Sequence, residues 1–196
     1  MEFARSANKG HVPSKWTREE SDKSIEDFIL VTDQAFSVVD NKSFRWMLMV
    51  QRGIEAKDRD YPHRTKVTQN INSRAEKYVE ELKGMLKAAP GRISFTFDGW
   101  TSSTLIPIIG VTSHYIDTDW TLRTHVISFA ELQGSHSGDN IGQCLYEIIK
   151  IKYGIEEKIM NISSDNVTVN DKAMRALSRL LRIDGISFDA KDQRSQ

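Results

Sequence analysis

The hydrophobic pattern of this chain changes its period at Pro90-Gly91, and few folds accommodate such a change. Upstream, Val67, Ile71, Ala75, Tyr78, Leu82 and Met85 recur at steps of three and four residues, which puts them on one stripe of a helix from about Thr65 to Ala88. Pro90-Gly91 stops that helix. Downstream, Ile93, Phe95 and Phe97 alternate with polar residues in the run RISFTF, the pattern of a half-buried strand. The chain therefore reads as a helical subdomain leading into a sheet-containing α/β core.

The rest of the pattern fills in both halves. Residues 1–22 are polar, hold Gly10 and Pro13 and lack apolar periodicity; they read as a flexible lead-in. Ser24 is the expected cap of a first helix bearing Ile25, Phe28 and Ile29. Asp40 or Asn41 should cap a second helix with Phe44, Met47 and Leu48 on its apolar face. The charged stretch from Glu55 to Arg64 reads as a loop. Residues 23–90 thus form the helical subdomain. After the strand at Arg92 to Phe97, which Asp98-Gly99 is expected to interrupt, two more β-rich runs follow at Pro107–Ile116 and Leu122–Phe129. A helix is expected from Ile141 to Tyr153, a short strand from Lys158 to Ser164, and a last helix from Thr168 to Leu181 with Met174, Leu177, Leu180 and Leu181 inward. The core then covers 91–186, and 187–196 is a tail.

This order suggests a site. Three consecutive strands with short connections favour an antiparallel meander, and a right-handed helical crossover lays the fourth strand parallel to the first. Neighbouring parallel strands lie about 4.8 Å apart with their ends together. Asp98 closes the first strand and Asp165 the fourth, so two carboxylates 67 positions apart meet at one edge of the sheet. Hard divalent cations such as Mg2+ or Mn2+ take oxygen ligands of this kind, and a metal pair assists phosphodiester displacement. An Asp at a strand end is equally a turn former or helix cap; the spacing alone leaves both readings open.

Composition narrows the classes. Lysine plus arginine and aspartate plus glutamate balance at 27 each, so no global positive field advertises nucleic acid, although a local basic surface suffices for one. The single cysteine, Cys144, excludes a disulfide scaffold or a cysteine-rich zinc site and fits a reducing intracellular compartment. No apolar run approaches the roughly 18 residues of a membrane-spanning helix, so no membrane partner is expected.

The string Asp98-Gly99-Trp100-Thr101-Ser102 resembles the DxWTS signature of hAT-superfamily transposases. The resemblance continues through His114-Tyr115-Ile116-Asp117, Trp120, Leu122 and Phe129, then Leu132, Gly134 and His136-Ser137-Gly138 with Asn140-Ile141. It resumes at Tyr153-Gly154-Ile155 and at Ser164-Asp165-Asn166-Val167-Thr168, and upstream at Pro62, Arg64 and Pro90-Gly91-Arg92-Ile93-Ser94. It covers roughly residues 25 to 190. It implies a ribonuclease-H-like fold, here an incomplete mixed sheet of three antiparallel strands, helix, parallel strand and helix after a helical subdomain. It also matches Asp98 and Asp165 to the first two members of an acidic triad that binds Mg2+ or Mn2+, and it implies DNA as partner and the nucleus as location.

Other residues carry two readings each. Trp100 is expected in the core, with stacking on DNA as the alternative. His136 either orients DNA or the metal-site loop, or caps the following helix. Asn166 caps the turn after Asp165 alongside Asn170, or contacts metal or phosphate. Arg64 contacts the DNA backbone or is simply exposed, and Glu147 is expected to be a solvated mid-helix residue.

The family's zinc-binding BED module, its third acid (a glutamate beyond a helical insertion), its C-terminal dimerisation region and the fifth strand of its core have no counterpart in the sequence. The expectation is a truncated or relic transposase without complete catalysis, with a domesticated DNA- or protein-binding module as the alternative. The fourth strand is then expected to offer a bare edge for self-association or for a complementary fragment.

Overall fold

A computed structural model describes residues 15–132, 134, 137–165 and 168–190, and the backbone of 194 and 195. The chain divides into two compact units, one ending at Tyr78 and the other beginning at Val79.

The first unit is helical. Helix α1 spans Arg18–Thr32 and begins well before the expected cap at Ser24. Its N-cap is Thr17, whose Oγ1 accepts from the Glu20 N–H at 3.2 Å. The sequence Thr-Arg-Glu-Glu at 17–20 is a capping-box pattern, and apolar periodicity alone misses it because the first turns carry only charged residues and serine. Helix α2, Lys42–Arg52, is capped as expected by Asn41, whose Oδ1 accepts from Ser43 N–H at 2.9 Å and Phe44 N–H at 3.2 Å. Ile25, Ile29, Val39, Tyr61, Val67 and Ile71 form the core, with Phe44 and Leu48 packed against it. Met47, expected on that face, is exposed. Arg45 turns inward instead and ties the following loop by donating to Asp58 Oδ1 at 2.6 Å, Val39 O at 3.0 Å and Pro62 O at 3.2 Å.

Helix α3 runs Arg64–Ala88 and belongs to the first unit as far as Tyr78. Val67, Ile71, Leu82 and Leu86 are buried, whereas Ala75 and Met85 are exposed. The true stripe passes through Arg74, which pairs with Glu26 and with Asp27 inside the first unit.

The second unit carries β1 (Ile93–Thr101), β2 (Pro107–Ile116), β3 (Leu122–Glu131), helix α4 (Gly138–Tyr146, continued as π-helix over Glu147–Tyr153), β4 (Ile159–Ser163), helix α5 (Thr168–Ile183) and β5 (Arg194–Ser195). The strand order is β3-β2-β1-β4-β5. β1, β2 and β3 are antiparallel and β4 lies parallel to β1, so the expected mixed α/β sheet is what the chain forms. Two expectations need correction. Asp98-Gly99 does not break β1, because the hairpin with β2 continues pairing through Thr101↔Pro107. Nor is the edge of β4 bare, since Arg194 and Ser195 pair with Ile162 and Ser163 as a short parallel β5.

One face of the sheet buries Ile93, Phe95, Phe97, Ile109 and Val111, while the helices bury Ile141, Leu145, Ile149, Met174, Leu177 and Leu181. Helices α4 and α5 approach backbone to backbone. A Cβ on Gly142 would lie 2.6 Å from Ala176 Cβ and 2.7 Å from the Ala173 carbonyl, and one on Gly138 would strike Lys172 Cβ and the Val169 carbonyl. Only glycine permits such an approach.

Three further contacts hold the frame. Between Val111↔Ser128 and Thr112↔Val126 the β2–β3 register shifts, which leaves Ile127 as an extra residue. Its carbonyl accepts from the Tyr153 hydroxyl at 2.9 Å and from Lys152 Nζ at 3.3 Å. Lys158, just ahead of β4, donates to the carbonyls of Lys87 at 2.7 Å and Ala89 at 2.6 Å, closing the end of α3. Phe188, expected in a tail, is buried, and its carbonyl accepts from Ser178 Oγ at 2.8 Å. Among the described residues, no helix is long and apolar enough to cross a membrane.

Candidate functional site

The β1–β4 ladder brings the two carboxylate-bearing segments side by side. Thr96 pairs with Ser163 as the last pair of that ladder, and Asp98 and Asp165 each follow it by two residues. Asp98 lies within β1, three residues short of its end, and Asp165 lies just past the end of β4. Asp98 lies inside the β1–β2 ladder opposite Gly110. Because Phe97 is buried and side chains alternate along a strand, Asp98 stands on the opposite, outer face of the sheet with Thr96 and Trp100, and all three are exposed.

Asp165 follows β4 by two residues and is held differently. Its Oδ1 accepts from the side-chain amide of Asn170, which also donates to the Asp165 carbonyl at 3.3 Å. Asn170 is buried in the first turn of α5, so it braces the strand-to-helix turn, as expected of it. Asp165 and Asn170 border a cavity of about 160 Å³ between the sheet and the helices, which Phe97, Gly99, Leu132 and Ile141 also line. Asp98 takes no part in that lining. The glycine contacts bring the first turn of α4 against Val169, Lys172 and Ala173 of α5. Two helix N-termini thus sit side by side at the end of the sheet where the carboxylates lie, and their partial positive charge favours anionic groups there.

The remaining candidates separate. Trp100 is not in the core: it is 38% exposed and its ring stacks at a tilt on Phe129, centroids 5.4 Å apart. Gly110 across the ladder makes room for it, since a Cβ there would come within 3.3 Å of the indole. The unbroken hairpin is the cause, because it carries the alternation of β1 through Trp100 onto the outer face. Arg64 begins α3 in the first unit and is exposed; its backbone N–H lies 3.4 Å from Asp40 Oδ1. His136 and Asn166 lie outside the described residues. Glu147 is exposed, as expected, and accepts from Gln143 Nε2 at 2.9 Å. Cys144 is no candidate nucleophile, because burial and then Glu147 push its thiol up.

The donor set fits a hard cation in kind, being carboxylate oxygen, but not in number. Among the described residues, no group of three or more His, Cys, Asp or Glu side chains could hold a metal ion.

Comparison with known proteins adds the family. The ZBED1 RNase-like domain matches residues 96–189, just under half of the chain and nearly all of the second unit's sheet and helices. The "Putative AC transposase" of Zea mays is 29% identical over 170 residues, 83% of this chain and 20% of its own length.

Over these residues the chain is similar to transposases of the hAT type.

Two other relatives carry different names. The "Putative transcriptional regulator tpeD" of Talaromyces stipitatus is 30% identical over 115 residues, 57% of this chain and 14% of its own. The "Zinc finger BED domain-containing protein RICESLEEPER 3" of Oryza sativa subsp. japonica is 20% identical over 158 residues, 80% of this chain and 20% of its own. The chain spans about a fifth of the length of the transposase it matches.

Proposed function

We propose that this chain carries two ligands of the metal-dependent DNA-processing centre of an hAT-type transposase, Asp98 and Asp165, with at least one further ligand supplied from outside the described residues. The observation that supports the proposal is the register of β1 on β4, in which Thr96 pairs with Ser163 at the same offset that separates Asp98 from Asp165 in sequence. Mg2+ or Mn2+, when bound, would supply Lewis acidity toward a phosphodiester. The role of the chain's own groups is narrower. Asn170 orients the Asp165 carboxylate, the paired helix N-termini offset negative charge, and Asp98 presents its oxygens from the outer face. With two carboxylates the centre binds cation weakly and cleaves no DNA unaided.

DNA as partner and the nucleus as location rest on the transposase and BED zinc-finger names of the relatives. A second reading is a DNA- or protein-binding module without enzymatic activity. It draws on the relative named as a transcriptional regulator and on the two-carboxylate donor set.

Titration with Mn2+, followed by water proton relaxation, tests the site independently of catalysis. Weak binding by the wild type, lost in both Asp98→Asn and Asp165→Asn, is the expected result. Binding that survives either substitution would refute the shared site. A parallel nuclease assay is expected to show no cleavage, and manganese-dependent cleavage lost in both variants would overturn the claim that two carboxylates are insufficient.

A further inference from the structure

The even balance of charge over the whole chain hides a segregation along α5. Lys172, Arg175, Arg179 and Arg182 are all exposed and follow one another at steps of three, four and three residues. At 100° per residue they fall within an arc of about 80°, and at 1.5 Å per residue they extend over about 15 Å. The opposite side of the same helix is the buried stripe of Met174, Leu177 and Leu181. Neither α1 nor α3 is arranged this way. α1 is mainly acidic, and the exposed side of α3 mixes Glu76, Glu80 and Glu81 with Lys77 and Lys87.

Acidic neighbours leave most of this charge available. Arg179 pairs with Asp139 at 2.7 Å, but the two side chains are 68% and 76% exposed, and a pair so well solvated is readily exchanged for another anion. Arg175 donates its Nε to the Asp171 carbonyl at 3.2 Å, which leaves the outer part of the guanidinium for a ligand. Asp171 itself lies next to Lys172 in the first turn, where the helix N-terminus stabilises its charge.

We propose that this basic side of α5 is a track for the phosphate backbone of duplex DNA. Consecutive phosphates of one B-form strand rise 3.4 Å along the axis while the strand winds round it, which puts them roughly 6–7 Å apart along the backbone, so about 15 Å of helix faces two or three phosphates, within reach of the four cations. The track starts in the first turns of α5, at the end of the sheet where Asp165 and Asp98 stand, and runs away from it. A backbone lying along it would be led toward that end. The inference rests on the DNA reading proposed above, but it assigns that contact to residues that neither the family motif nor the carboxylate geometry singles out. Arginine suits the task because its planar donor fork matches phosphate oxygens.

Fluorescence anisotropy of a labelled mixed-sequence duplex, measured over a salt series, tests it on the full chain. The variant R175Q/R179Q/R182Q should bind at least tenfold more weakly. Its slope of log K against log salt should be shallower by about 0.9 for each phosphate no longer neutralised, about 1.8–2.7 in all. R175K/R179K/R182K should keep most of the slope. K23Q/K42Q/K77Q removes the same net charge from exposed sites on the other helices and should bind like wild type. Circular dichroism melts of all variants check that the fold is retained. If wild type binds the duplex and the arginine-to-glutamine variant binds as well, or the lysine control weakens as much, the track is wrong while the DNA reading stands. If wild type binds no duplex, or binds phosphatidylserine vesicles instead, the DNA reading falls and the track with it.

Discussion

Placing a methyl group between α4 and α5 should reverse the usual effect of replacing a helical glycine. In a solvated helix, Gly→Ala stabilises by about 1 kcal/mol through backbone entropy and helix propensity. At Gly142 the new Cβ would lie 2.6 Å from Ala176 Cβ, 2.7 Å from Ala173 O and 3.0 Å from Leu177 N. Each of these atoms is backbone or a first side-chain carbon, so none can swing aside by changing rotamer. Ordinary contacts are about 3.5–4.0 Å, so the helices must part by about 1 Å locally. Overpacking of this kind costs about 1–3 kcal/mol, and contact with backbone puts the site toward the upper end. Net of the propensity gain, Gly142→Ala should destabilise the second unit by about 1–2 kcal/mol, lowering its Tm by about 5 °C. Thermal and urea denaturation followed by circular dichroism give the shift, and hydrogen exchange should show faster opening of α4 and α5 amides. Gly84→Ala is the internal control: it sits in α3, where a new Cβ would meet nothing within 4 Å, and should stabilise by about 0.5–1 kcal/mol. A Gly142→Ala protein as stable as the Gly84→Ala protein would refute the close approach of the two helices.

Two further predictions concern the β2–β3 turn. Trp120 is 90% exposed at a φ of 56°, a left-handed conformation that strains a bulky residue by about 1 kcal/mol, so Trp120→Gly should raise thermal stability slightly; a clear fall in Tm would show that the indole makes a stabilising contact. The Asp117 carboxyl is held below its ordinary range first by the Thr121 N–H, then by Arg123 and the Asp119 N–H. Because the folded value is the depressed one, its contribution to the turn is fully present above the unfolded value of about 3.9 and is lost as pH falls through the folded value. NMR titration should show the Thr121 and Asp119 amides moving only below about pH 4, and the same movement in Asp117→Asn would exclude this carboxyl as the cause.

Much of the second unit was legible because its strands are half-buried. Ile93, Phe95 and Phe97 alternate visibly, and the parallel pairing of the first and fourth strands follows from the element order, with Thr96 on Ser163. What could not be read depended on partners remote in sequence. Trp100 belongs on the outer face only because the hairpin carries β1 past Asp98, and a Pro107 pairing with Thr101 is invisible in the alternation of one strand. The start of α1 was missed because its signal is a cap, Thr17 with Glu20, and not an apolar face. Gly138 and Gly142, spaced four apart, did carry a close-packing signal, but the residues they meet, Ala173 and Ala176, lie on another helix. The two-residue β5 has too little length to declare itself by any period.

The extra residue at Ile127 bears on how this region aligns between proteins. Ahead of it, Leu122, Thr124 and Val126 stand on the outer face of β3; beyond it the count changes parity, and Phe129 and Glu131 take that face. A related strand without the extra residue would stay in phase for only half its length. An ungapped alignment would then match residues that point to opposite sides, and Phe129, the partner of Trp100, would fall against a core position. A one-residue gap at Ile127 restores the correspondence, with the Tyr153 hydroxyl that donates to the kinked carbonyl as the marker of which sequences need it.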